Sequence, residues 1–182
     1  MRAVFFRSGW MIRYAGPQPG DMRPIGGGSY NETNCGLEVS NFKSISGQLY
    51  GYVRTRSNAT GANLARIDPS LRGRSQVNNV LVVFVATHPV EGGQRVVGWY
   101  RDATVYARSQ DIAERSVVAI ARTDKAVLLP LRMRRWNVPI DRSGMPQTTI
   151  RYPYGRNGQF NAPDWFRNIV SRINAYRGPN LL

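Results

Sequence analysis

The sequence predicts an α+β domain: a small curved β-sheet or β-barrel, flanked by a few helices, with an amphipathic helix at the C-terminus. Three observations lead there. Short strand-like stretches bounded by turn residues recur from residue 3 to residue 152. One strong 3.6-residue apolar periodicity occurs, over residues 164–176. The strand–helix alternation of a doubly wound sheet is missing. A chain of 182 residues with 42% apolar content suits one domain with a sizeable core. Residues 1–176 are assigned to it, and 177–182 to a tail or the start of a linker.

Taken in order, residues 3–7 (AVFFR) read as the first strand. The turn-rich stretch 16–28, with PQPGD and PIGGG, is long enough to be a functional loop. Residues 37–43 (LEVSNFK) alternate weakly, as a strand does. A Ser46-Gly47 turn leads to a Tyr- and Val-rich strand at 48–54 (QLYGYVR). Residues 55–79 are polar, with a short helical turn at 63–67. The clearest unit is a hairpin. Its apolar strand runs over 80–87 and its turn is PVEGG at 89–93. The return strand at 95–100 continues through 104–107 after a bulge near Asp102-Ala103. Gly98, inside the return strand, marks a bend or a close approach by another group. Strands follow at 117–122, 126–131 and 149–152. For the terminal helix, Asn161 is a good cap, Pro163 suits the first turn, and Asp164 favours the positive end of the dipole. Trp165, Phe166, Ile169, Val170, Ile173 and Tyr176 form its apolar face, and Gly178-Pro179 ends it.

The longest apolar run, 80–86, is far too short for a membrane span, and the N-terminal apolar stretch is too short for a signal peptide. No membrane association and a cytoplasmic location are expected. One cysteine, Cys35, and one histidine, His88, exclude a disulfide framework and argue against a Cys/His zinc site or a Cys–His catalytic pair. His88, before Pro89, reads as an exposed turn residue. Charge is the loudest feature. Twenty-five basic residues against eleven acidic ones give +14, and all but Lys43 and Lys125 are arginine. Arginine presents a planar fork of donors that suits phosphates and base edges. A codon preference explains arginine over lysine, but not the shortage of acids. The balance therefore points to a polyanionic partner.

Several stretches carry candidate chemistry, each with a plainer structural alternative. Residues 26–31 (GGGSYN) let a backbone approach a base or phosphate. Ser29, Tyr30 and Asn31 add a hydroxyl, an aromatic face and an amide; the alternative is a flexible loop. The stretch lacks the Lys-Ser/Thr of a nucleotide-hydrolysing loop. Trp10, Trp99 and several tyrosines interleave with Arg13, Arg54, Arg101 and other arginines. That pattern suits a stacking platform on a basic surface. One face of each strand must be core, however, so about half of these rings pack inside, and which half stays open. Trp10 is the best single candidate, because it follows a strand at the mouth of the glycine-rich loop. Asp102 is placed to accept from an exocyclic amine, or simply to form a surface ion pair. Residues 132–135 (RMRR) offer Arg132, Arg134 and Arg135 to phosphates, or form a solvated turn.

The run LVVFVATHPVEGGQRVVGWYRDATVY (81–106) resembles the central hairpin of PUA-like domains, the superfamily of EVE, YTH, ASCH and SRA modules. More closely, SGWM (8–11), PIGGGSYN (24–31), NFK (41–43), LYGYV (49–53), VVGWYRDATVY (96–106) and FNAPDWFRNIV (160–170) resemble EVE-like regions placed before HNH nuclease domains in modification-dependent restriction enzymes. The resemblance spans most of the chain but rests on scattered short motifs. It implies a PUA-like fold and a pocket between the curved sheet and the loop after the first strand, which takes one extruded base. Trp10, Ser29, Tyr30, Asn31, Trp99 and Asp102 are its pocket residues by position. A chain with one histidine holds no HNH constellation, so the resemblance implies the reading half of such a system, with a nuclease domain or subunit as a further partner.

The leading expectation is a non-catalytic DNA-binding specificity domain that flips a modified base, a 5-substituted cytosine, into an aromatic pocket. Arg13, Arg54, Arg101, Arg132, Arg134 and Arg135 would hold the nucleic-acid backbone, and no cofactor or metal is expected. An RNA-binding or modified-RNA-reading module is the first alternative. A metal-dependent nuclease using Asp102 with Asp111 or Glu114 is the second.

Overall fold

The computed structural model describes residues 2–26, 30–55, 61–140, 144–145 and 148–182, save the side chains of Tyr30 and Glu32. The fold is mixed α+β. Its strands are β1 (Arg2–Ser8), β2 (Ser44–Ile45), β3 (Gln48–Gly51), β4 (Gln76–Thr87), β5 (Gln94–Ile112), β6 (Arg115–Arg122), β7 (Ala126–Leu128), β8 (Asn137–Val138) and β9 (Ile150–Arg151). They form one open sheet in the order β2-β3-β6-β5-β4-β1-β9, and β7 and β8 also pair with β5. Among the described residues only β1 and β4 run parallel, in register from Arg2↔Val80 to Ser8↔Ala86. The α-helices are the single turn α1 (Tyr30–Thr33) and α2 (Asp164–Ala175).

The continuous apolar run of β4 follows from burial on both faces of the sheet. Val80, Val82, Phe84 and Ala86 join Val4, Phe6 and Tyr100 in one core layer, roofed by Trp10–Tyr14, Phe42 and Leu64–Ile67. Leu81, Val83 and Val85 join Phe5, Val96 and Trp99 in the other, under Phe166, Ile169 and Ile173 of α2. Strand β5 runs for 19 residues where two shorter pieces were expected. It stays continuous by bulging: Asp102 (φ 51°) and, across on β4, Asn79 (φ 60°) sit at register shifts. The expected bulge near Asp102-Ala103 is present. Gly98 is a close-approach glycine, since a Cβ there would lie 2.5 Å from the Val127 carbonyl and 2.7 Å from the Phe42 ring.

Several expectations change: the strand expected at 48–54 ends at Gly51, and the one expected at 80–87 begins at Gln76. Residues 37–43 are not a strand: Leu37–Ser40 is a 3₁₀ turn. The amide of Asn41 replaces the ladder, donating to the Tyr52 carbonyl (3.0 Å) and accepting from the Tyr52 N–H (2.8 Å). The strand at 126–131 stops at Leu128, because Pro130 has no N–H to donate, and Leu131–Met133 turns as 3₁₀. Pro163, not Asn161, occupies the cap of α2, without a side-chain hydrogen bond. The tail docks on the body. Asn180 accepts from the Leu128 N–H (2.9 Å) and donates to the Ala126 carbonyl (3.0 Å), and the Leu181 N–H donates to the Leu128 carbonyl (2.9 Å). It thereby covers the free edge of β7. Among the described residues, no helix is long and apolar enough to cross a membrane.

Candidate nucleic-acid interface

The end of the sheet where β1 and β4 finish is built around Trp10. After Ser8 the chain folds back on itself, and Gly9 makes this possible: a Cβ there would lie 2.5 Å from Pro24 and 2.8 Å from the Gly26 carbonyl. Trp10 pairs with Ile25 through both backbone hydrogen bonds, at 2.7 and 2.9 Å. The buried Asp21 carboxylate accepts from the N–H groups of Ile12 and Arg13, each at 2.7 Å. Asn31 is buried as well. Its amide donates to the Gly26 carbonyl (2.7 Å) and to the Glu38 carboxylate (2.8 Å). The structure thus gives Asn31 the work of closing the loop. Ser29 lies outside the described residues, as does the side chain of Tyr30.

Trp10 itself is 6% exposed. Its indole packs edge-on against the His88 ring at 4.8 Å, and the Arg134 guanidinium lies over it at 5.2 Å. Arg134 is fully buried. Its donors reach the carbonyls of Leu129 (2.9 Å), Met11 (2.5 Å) and Ile12 (2.6 Å). Burial lowers its pKa, and the neighbouring Tyr14 and Asp21 partly restore it. The same burial pushes the Tyr14 hydroxyl up to about 12, while it donates to the Gly9 carbonyl at 2.8 Å. Arg134 was expected on phosphates. Its fork is instead spent on main-chain carbonyls, where a buried cation finds the acceptors it needs.

The expected pocket residues do not converge. Trp99 belongs to the core layer opposite Trp10. It is fully buried, stacked on Trp136 at 5.5 Å and met edge-on by Tyr176 at 5.1 Å. Val97 and Trp99 lie on opposite faces, not on one face as simple alternation implied, because β5 and β4 slip register at Phe84/Val85. Asp102 is exposed at its bulge and pairs with Lys125 at 3.5 Å. Arg101 is half-buried and donates to the Ile173 carbonyl (2.5 Å) and the Asn174 side chain (3.4 Å) at the C-terminal end of α2. Arg13, Arg54, Arg132 and Arg135 are exposed, as a phosphate contact requires.

The metal alternative loses its geometry. Asp102 pairs with Lys125 at its bulge, whereas Asp111 faces Ser116 next to the β5–β6 turn and Glu114 lies in that turn. Among the described residues, no three His, Cys, Asp or Glu side chains are grouped to hold an ion. An open cleft of about 710 Å³ lies between the β2–β3 turn, Arg122–Asp124 and the tail residues Asn180 and Leu182. No aromatic ring lines it, and Arg122 there is already paired with Asp124.

Pairing concentrates the positive charge. Asp68, Glu91, Asp102, Asp124 and Asp164 each hold one cation, and Asp21 and Glu38 are buried on N–H donors. Arg13, Arg132 and Arg135 gather at the Trp10 end, and Arg72, Arg74 and Arg108 at the opposite end, where the Ala107 N–H meets the Ser75 carbonyl (2.8 Å). None of these six is ion-paired among the described residues. Sequence reasoning missed two contacts: the Trp10–His88 pair and Arg172, whose guanidinium caps Trp136 at 4.4 Å. The lone histidine beside an apolar strand end was the only available trace of the first. Comparison with known protein families, curated proteins and solved structures finds no match.

Proposed function

We propose that this protein binds nucleic acid, and that it does so as the non-catalytic reader of a modified base in DNA, a 5-substituted cytosine, within a modification-dependent restriction system. The observation that carries the reading is the excess of arginine over acid together with exposed arginines that form no ion pair among the described residues. Arg13, Arg132 and Arg135 are exposed towards the end that holds the Trp10–His88 pair and form no ion pair among the described residues. Arginine at such an edge binds phosphates through counterion release. The base-reading part of the proposal moves with the geometry. Trp99 and Asp102 drop out of the pocket, and Trp10, 6% exposed and packed between His88 and Arg134, backs the binding edge from behind instead of stacking on the base.

Binding to duplexes carrying cytosine, 5-methylcytosine or 5-hydroxymethylcytosine, and to matched RNA, over a salt series tests this directly. We expect tighter binding to one of the modified duplexes and a steep loss of affinity with salt. The slope should become shallower by roughly 0.9 for each phosphate contact removed in Arg132→Ala and Arg135→Ala. Preference for RNA would replace the DNA reading with an RNA one. Absence of binding to either at low salt overturns the proposal.

A further inference from the structure

The β4–β5 turn at the Trp10 end carries a large apolar side chain almost wholly in water: Val90 is 88% exposed. Single exposed apolar residues are ordinary, but this one stands on a braced support. The His88 Nδ1 accepts from the N–H groups of Val90 (3.3 Å) and Glu91 (3.0 Å). The His88 main chain closes the turn on both sides, donating to Gly93 (2.9 Å) and accepting from Gly92 (3.1 Å). Behind it the ring rests on Trp10, and Trp10 rests under Arg134, which is clamped to three carbonyls. The chain of contacts from Val90 to the buried core is therefore unbroken. A tip held this way loses little further freedom on binding, which favours it as a contact element.

The surroundings fit a polyanion rather than an apolar protein partner. Arg132 and Arg135 are exposed on the segment that carries Arg134, and Arg13 follows the Met11 and Ile12 carbonyls that Arg134 holds. Glu91, the carboxylate at the tip, is ion-paired with Arg95. That hydrogen bond and charge, with smaller contributions from His88 and last from Arg135, hold its carboxyl below the usual range. Ile25, 55% exposed, adds a second apolar group next to Trp10. An apolar protrusion on the same end of the sheet as exposed arginines that form no ion pair among the described residues suits a groove with phosphate walls and an apolar stack of bases inside. Aliphatic side chains are inserted between base steps in that setting.

We propose that Val90 is a wedge that enters between stacked bases of duplex DNA, while Arg13, Arg132 and Arg135 take the flanking phosphates. This rests on the nucleic-acid reading above and adds the element that opens the stack. Duplexes with 2-aminopurine beside cytosine or 5-methylcytosine provide the test, because the analogue brightens when it is unstacked. Wild-type protein should raise the emission on binding. Val90→Ile should keep the rise, and Val90→Asp should abolish it. Val90→Ala should weaken affinity by about tenfold with an unchanged salt slope, since it loses a base-stack contact and no phosphate contact. At 88% exposure these changes leave the fold intact. Salt-dependent binding with no rise in emission, or an equal rise with Val90→Ala and Val90→Asp, overturns the wedge and leaves nucleic-acid binding standing. Binding to RNA alone overturns the duplex wedge. Absence of binding to any nucleic acid overturns the underlying reading as well.

Discussion

The molecule places an arginine against a tryptophan twice, in opposite senses. Under α2, Trp136 is sandwiched between buried Trp99 and the exposed guanidinium of Arg172. At the other site Trp10 lies between His88 and Arg134, and there the arginine is the buried partner. The first arrangement is a lid: water solvates the cation, and the ring gains a modest cation–π contact. The second is a keystone: the cation is out of water and must be satisfied by carbonyls. The same two residue types thus decorate a core in one region and hold a loop in the other. Solvent position, and not residue identity, decides which.

The largest effect that can sharpen this contrast is expected at Trp99. Trp99→Ala should cost about 3–5 kcal/mol in urea unfolding, as a buried tryptophan truncated in a packed layer does. A cost below 1 kcal/mol would mean that this face is loosely packed. Arg134→Met should cost about 3 kcal/mol or more, because the Met11, Ile12 and Leu129 carbonyls lose their donor together. Arg134→Lys should not rescue it, since an ammonium lacks the planar fork. If Arg134→Met unfolds at the wild-type midpoint, the keystone is wrong.

Alkaline titration probes the same end of the molecule. In the unfolded chain Tyr14 ionises near the ordinary tyrosine value of about 10. Burial raises it to about 12 in the folded protein. Folding therefore keeps a proton that unfolding releases. The stabilisation is complete below about pH 10 and falls away as pH rises toward 12, by about 3 kcal/mol over that window. The buried Tyr100, whose hydroxyl donates to the Asn41 carbonyl, is shifted in the same direction by burial. Tyr14→Phe should flatten the fall, measured as the urea midpoint at pH 9 and pH 11.5. An unchanged fall assigns it elsewhere. The smallest effect is expected at the lid. Arg172→Ala should cost only about 0.5–1 kcal/mol in thermal or urea unfolding, the range for an exposed cation–π contact. A loss as large as that of Arg134→Met would erase the distinction between the two regions.

Much of the fold was legible because it rests on local rules. The hairpin of 80–107 showed in its apolar run, its PVEGG turn and the glycine at 98. The terminal helix showed in its spacing, and Phe166, Ile169 and Ile173 are its buried face. The site was far less legible. By position the resemblance groups Trp10, Asn31, Trp99 and Asp102 as one pocket, and Arg134 reads as a phosphate contact only because it stands in RMRR. Two sheet faces and a bulged strand then sent Trp10 and Trp99 to opposite sides, and Asp102 out to Lys125. Nothing in RMRR distinguishes its middle arginine. Only the carbonyls of Met11 and Ile12, about 120 residues away in sequence, select Arg134 for burial.

Composition alone settled the excess of arginine over acid and hence the kind of partner worth testing, because net charge adds up regardless of folding. Periodicity marked the first strand, the central hairpin and the last helix, since those patterns repeat within a few residues. Which ring meets water, and which guanidinium stays free for a phosphate, was decided by packing between distant segments. Burial is a property of the neighbours that arrive, and in a sheet covered on both faces each residue's neighbours come from elsewhere in the chain.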